Sequence, residues 1–137
     1  MAVDLTNGNG TLSVGVRILD CDHREQAEAI DELQLAVMRG EDRNRTSLLL
    51  QRLADFTLSH FALEEGMMAA TKYSGLAAHH LHHQRMMECL NAIQLRHKRD
   101  GMTMNDQALG YLQELHSTHV QSDDLHYGLW LNQVDKP

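Results

Sequence analysis

Apolar residues recur along this chain at intervals of three and four in four separate stretches, with polar and glycine-bearing breaks between them. Residues 1–10 are polar and read as a loose arm. From Leu12 to Leu19 the pattern alternates (Val14, Val16, Ile18). One short strand finds no partner here, so the stretch is expected to lie extended over the rest of the molecule. The period becomes helical from Asp20. His23, Ala27, Ile30 and Val37 share one face, and Gly40 is a suitable stop. After a turn rich in capping residues (Gly40 to Thr46), a second face reads Leu49, Leu53, Phe56, His60, Glu64, Met67. The break ending at Gly75 leads to a third: Leu76, His79, His83, Met86, Leu90, Ile93. Asp100-Gly101 closes that stretch, and Leu109, Leu112 and His119 mark the fourth. Amphipathic helices joined by short turns predict an all-α, antiparallel up-and-down four-helix bundle with an extended N-terminal arm. The division expected is a flexible arm over residues 1–13 and a bundle over 14–133.

Composition narrows the partners. A length of 137 residues suits one core-forming domain, and the only proline is Pro137, so no helix is interrupted. A net charge of −7 with scattered basic residues argues against nucleic acid. No apolar run approaches the roughly 20 residues that span a bilayer. The first residues lack a basic and then apolar leader, so no membrane partner and a cytoplasmic location are expected. Cys21 and Cys89 lack paired spacing and read as reduced thiols.

Each apolar stripe also carries histidine. One histidine on such a stripe is more often a hydrogen-bonded core residue than a ligand. Four stripes doing so is a different matter, because an unpartnered buried polar group costs roughly 1–3 kcal/mol. His60 and Glu64 are four apart, as are His79 and His83, so each pair shares a helix face and can reach a common ion. Within the run HHLHH, His79 and His83 therefore point inward, while His80 and His82 project elsewhere. With His23, His119 and an aspartate of the fourth helix, the collection holds five histidines and two carboxylates. That is too many donors for one tetrahedral ion and fits two ions bridged by carboxylates, iron or a similar divalent metal.

With those residues in hand, the chain resembles a single-domain bacterial hemerythrin from about Val14 to Leu131. The matching stretches are ILDCDHR (18–24), HFALEEGMM (60–68), YSGLAAHHLHH (73–83) and HSTHVQSDDLHY (116–127). These are similar, in order, to the family's DxxH, HFxxEE, LxxHxxxH and HIxxxxDxxY patterns. The resemblance implies two iron ions (Fe2+/Fe3+) joined by an oxo or hydroxo bridge. One would be held by His79, His83 and His119, the other by His23 and His60, with Glu64 and Asp124 bridging. The second iron would keep an open position for dioxygen. Regular helix geometry instead favours Asp123, four residues beyond His119. The family pattern points to Asp124, which needs a π-type bulge or a frayed end. The chain departs from the family at Leu115, where tryptophan is frequent, and at Ser74, where a proline is expected; neither position is an implied ligand.

Of the remaining residues, Phe56, Leu112, Leu115, His116 and Tyr127 are candidates for the pocket or for contacts behind the ligands. His116 and Tyr127 have plain packing as the competing reading. His97, His126 and Glu65 are expected at the surface and Cys21 in packing. Met67, Met68, Met86 and Met87 are read as core filler. The function expected is reversible dioxygen binding as a carrier, store or sensor, and not an enzyme. The alternative is a di-iron enzyme using oxygen, peroxide or nitric oxide. Carboxylate-rich oxidase sites use paired Glu-x-x-His, which this chain lacks. A signalling role would need a protein partner acting in trans, and nothing in the sequence sets the oligomeric state.

Overall fold

Asp20, in the first turn of the first helix, ties down the segment that leads into it. In a computed structural model that describes residues 6–7, 11–99 and 106–134, Asp20 accepts hydrogen bonds from Ser13 Oγ (2.7 Å) and from the Val14 amide (2.8 Å). Helix α1 begins at Arg17, three residues earlier than expected, and runs to Met38. Ile18 lies on its exposed side, and the part of the alternating stretch before α1 is non-helical, with a bend at Gly15 (φ +76°). The arm also holds a minimal hairpin, β1 (Thr6–Asn7) paired antiparallel with β2 (Thr11–Leu12), where no strand partner was expected. The rest of residues 1–10 and the Asp100-Gly101 break lie outside the described residues.

Gly40 ends α1 as expected. Its φ of +67° places it in the left-handed region, and the Glu41 amide bonds back to Ala36 and that of Gly40 to Val37. Asp42 then caps α2 (Arg43–Ala70) by accepting from the Arg45 amide at 2.8 Å, a bond worth about 1 kcal/mol. A turn with Lys72 at φ 58° leads into α3 (Leu76–Arg99). Helix α4 (Asp106–His119) passes through a π-helical turn at Val120–Asp124 into α5 (Leu125–Val134), and together these form the fourth rod. Helix α1 packs on α2 and α4, and α3 on α2 and α4, which closes the bundle.

Two apolar clusters show the antiparallel order. One holds Ile30, Leu33, Leu49, Leu53, Leu90, Leu109 and Leu112; the other holds Val14, Leu19, Met68, Val120 and Tyr127. The chain visits them alternately, the second then the first along α1, reversed along α2, and so on. Between them each helix crosses one layer of buried polar residues: His23, His60, Glu64, His79, His83, His116, His119 and Asp124. Full burial of each large apolar side chain contributes roughly 1.5–3 kcal/mol, and that burial offsets the cost of the polar layer.

The inner face of α3 runs one turn further than expected. It continues through Leu90 to His97, which is buried at the α2 start with its ring 3.4 Å from Thr46 Oγ1 and is not a surface residue. Cys21, expected in packing, is exposed. Among the methionines, Met68 and Met86 are buried, and Met67 and Met87 are partly so.

Candidate metal centre

Helix periodicity brings the polar layer to one point. The i, i+4 pairs His60/Glu64 and His79/His83 each present both side chains inward from adjacent helices, and His23 and His119 face them from α1 and α4. Five imidazoles turn Nε2 toward the interior. The two carboxylates lie between them and divide their oxygens. Glu64 Oε1 contacts His79 Nε2 and lies 3.1 Å from His83 Nε2, while Oε2 lies 3.3 Å from His60 Nε2 and 3.8 Å from His23 Nε2. Asp124 Oδ1 lies 2.8 Å from His79 Nε2 and 3.0 Å from His119 Nε2, while Oδ2 lies 2.8 Å from His23 Nε2.

Two groups of donors result, each with its atoms within 4.8 Å of one another. One is Glu64, His79, His83, His119 and Asp124; the other is His23, His60, Glu64 and Asp124. Glu64 and Asp124 belong to both. These groups suit metal better than they suit one another. His23 Nε2, His60 Nε2, Glu64 Oε2 and both Asp124 oxygens are buried without a hydrogen-bond partner, although His23 Nε2 and Asp124 Oδ2 are only 2.8 Å apart. Buried donors that crowd together without hydrogen-bond alignment are aimed at a shared point, which a cation would satisfy. The imidazole and carboxylate set, with neither cysteine in it, fits iron or a similar divalent ion.

The π turn brings Asp124 into this layer. Five residues beyond His119, Asp124 would lie about 140° around a regular helix, and the wider turn at Val120–Asp124 restores a shared face. Asp124 is fully buried. Asp123 lies outside, where its Oδ2 accepts from His119 Nδ1 at 2.9 Å and from His82 Nδ1 at 2.6 Å.

Asp123 is one of three carboxylates that hold ligand-position imidazoles from behind. His60 Nδ1–H donates to Asp22 Oδ2 at 2.9 Å, and His83 Nδ1–H to Glu65 Oε2 at 2.9 Å. Each such bond fixes the tautomer that leaves Nε2 free, and it raises that nitrogen's basicity. Glu65 is therefore not the plain solvent-facing residue expected of it. Its other oxygen takes His80 Nδ1. The signal for Glu65 and Asp123 was in the sequence, as acidic neighbours of Glu64 and Asp124. Asp22 reaches His60 across two helices and had none.

The aromatic contact on the ligands is Phe61, stacked on the His83 ring at 3.7 Å and 6°. Phe56 is half-buried and lines a surface recess with Glu25, Ala29 and Arg52 instead. Leu112 belongs to the apolar core beyond the layer, and Leu115 is half-buried in a cavity wall beside His119. Tyr127 is fully buried, with its hydroxyl 2.9 Å from Thr71 Oγ1. His116 is buried, with its ring 6.2 Å from that of His23. Burial first, then the neighbouring His23 charge, pushes its pKa down to about 3 and keeps it neutral. Gln26, also buried, donates to Thr57 Oγ1 at 2.9 Å.

Charge inside the layer is balanced by mutual contact. Burial works against ionising Glu64 and Asp124, but the imidazoles that face them outweigh it and hold both well below the ordinary carboxylate range. Burial likewise opposes charge on the histidines. The carboxylate contacts prevail, raising His23 and His79 to about 9 and His119 to about 11. Protons therefore occupy the His23, His79 and His119 imidazoles when no cation does.

The sequence profile of the Hemerythrin HHE cation binding domain matches residues 14–131. The chain belongs to that family. It is 28% identical over 116 residues to proteins named bacteriohemerythrin from Pseudomonas aeruginosa, Pseudomonas paraeruginosa and Stenotrophomonas maltophilia, which covers 85% of this chain and 74% of each relative. No solved structure matches it.

Proposed function

We propose that this protein holds two iron ions in its polar layer and binds dioxygen reversibly, as a carrier, store or sensor and not as an enzyme. The observation that carries this reading is the uneven pair of donor groups, three histidines on one side and two on the other, sharing Glu64 and Asp124. His79, His83 and His119 would hold one iron, and His23 and His60 the other, with the carboxylates bridging the oxo- or hydroxo-linked pair. The poorer group would leave the position for dioxygen. Electrons for reversible binding come from the metal pair when it is bound.

The chain's own part is to orient and to exclude. Asp22, Glu65 and Asp123 aim three imidazoles, Phe61 fixes the plane of His83, and the apolar clusters on either side keep bulk water from the layer. No helix among the described residues is long and apolar enough to cross a membrane, and a cytoplasmic location suits this role.

One observation favours the second reading, a catalyst acting on oxygen, peroxide or nitric oxide. His116 and the Gln26–Thr57 pair put buried polar groups near His23 and His60, which suits proton transfer better than simple oxygen binding. Anaerobic ferrous reconstitution followed by cycles of air and deoxygenation separates the two. Two irons per chain and a visible band that comes and goes with oxygen are expected. A one-way change to the ferric state would support the catalyst, and failure to take up two irons would overturn both readings.

A further inference from the structure

The polar layer is buried on every helix, so a cation must reach it from outside, and one side of the bundle provides donors for that step. Among the described residues, His82, His119 and Asp123 form a third group whose donor atoms lie within 4.8 Å of one another, and this group is partly open to solvent. The His82 and Asp123 side chains are 42% and 27% exposed, and they line a cavity of about 370 Å³ whose wall also includes His119. His119 thus belongs to two donor groups at once. Its Nδ1 faces Asp123 in the outer group, at 2.9 Å, while its Nε2 faces Asp124 in the inner one, at 3.0 Å.

We propose that His82, Asp123 and His119 Nδ1 form an outer divalent-cation site that receives the metal on its way to the buried layer. This rests on reading that layer as the metal centre. The donors suit a transient stop. The two imidazole nitrogens converge on one carboxylate oxygen, at 2.6 and 2.9 Å, so the three donors already face a common point. Three donors hold an ion loosely, and Arg85 on the same cavity wall limits the attraction further.

The other flank of HHLHH supplies the control. His80 pairs with Glu65, and Glu65 with His83, but these contacts use different carboxylate oxygens, and the three side chains form no such donor group. The test is anaerobic addition of ferrous iron to chelator-stripped protein, quenched with chelator at successive times, with iron per chain counted. His82→Ala is expected to load roughly tenfold more slowly than wild type yet reach the same final content, while His80→Ala loads at the wild-type rate. Wild-type speed in His82→Ala overturns the proposal. So does a lowered final content, which would make His82 a prop of the centre and not a stop on the way. If wild-type protein takes up no iron, the reading of the centre itself fails.

Discussion

His119 Nε2 and Asp124 Oδ1 stand 3.0 Å apart although five residues separate them in the chain, and the π turn between them is what makes this possible. Its extra residue divides the Asp123–Asp124 pair. Asp124 faces the interior, where its two oxygens serve different donor groups, and Asp123 supports His119 from behind. Asp124→Ala is accordingly expected to lose bound metal. Asp123→Ala should keep its stoichiometry with affinity weakened by roughly 10- to 100-fold, the usual cost of removing a carboxylate behind a ligand. Metal titration of the two variants checks the assignment, and the reverse pattern would return the inner position to Asp123.

The run HHLHH makes a second test of facing. His79 and His83 are 4% and 2% exposed, whereas His80 is exposed and His82 half-exposed. His79→Ala or Glu64→Ala should abolish stoichiometric metal binding, because each removes a donor and leaves its neighbours buried and unpaired. His80→Ala and His82→Ala should retain full content at equilibrium. Iron or cobalt counted per chain after dialysis distinguishes the two pairs.

How much of this was legible in the sequence follows from what helical spacing can express. A period of 3.6 places His60 with Glu64 and His79 with His83 without further help, and the bundle follows from four such stripes. Contacts between helices are less visible. Asp22 meets His60 across 38 positions, and Phe61, one residue away from His60, turns its ring onto His83 of the next helix. The stripe through Phe56 implied a pocket residue. In the structure the face has rotated by then, so that Thr57 and Phe61 are buried and Phe56 looks partly outward. His97 was missed because the α3 stripe was ended at Ile93, one turn early. The π turn was foreseen only as the condition Asp124 would require; a local change of helical pitch leaves no pattern of its own in a single sequence.

The balance of charge in the layer sets an expected pH profile for metal-free protein. His23, His79 and His119 have raised pKa values, so their contribution is complete below the ordinary 6.5 and is lost as pH climbs through about 9 and then about 11. Glu64 and Asp124 are lowered, so theirs is complete above the ordinary 4.5 and 3.8 and is lost on acidification. The melting temperature of chelator-stripped protein should therefore peak between about 4.5 and about 6.5 and fall toward alkaline pH. Metal affinity should move the other way over the alkaline range, because binding must expel the imidazole protons. Thermal scans with and without metal at about pH 6 and about pH 9 compare the two slopes. A stripped protein that gains stability toward pH 9 would contradict the charge pattern.

The arm approaches α5 closely at Gly128, and two glycine substitutions test that contact against each other. A Cβ on Gly128 would fall 1.8 Å from the Val14 carbonyl oxygen and 2.9 Å from its carbon, so the backbone of the arm would have to move. Val14 is 1% exposed and forms part of the apolar cluster with Leu19, Met68 and Tyr127. Displacing it also pulls on the hydrogen bonds that Asp20 makes to Ser13 and Val14 at the start of α1. Gly66 also sits within a helix, but a Cβ there meets nothing within 4 Å. Replacing a helical glycine by alanine stabilises by roughly 0.5–1 kcal/mol where space allows. Gly66→Ala should therefore raise the melting temperature, whereas Gly128→Ala should lower it, the overpacking costing about 1–3 kcal/mol. Chemical denaturation of both variants decides the matter: if Gly128→Ala were stabilised as Gly66→Ala is, the arm would not lie against α5 as described.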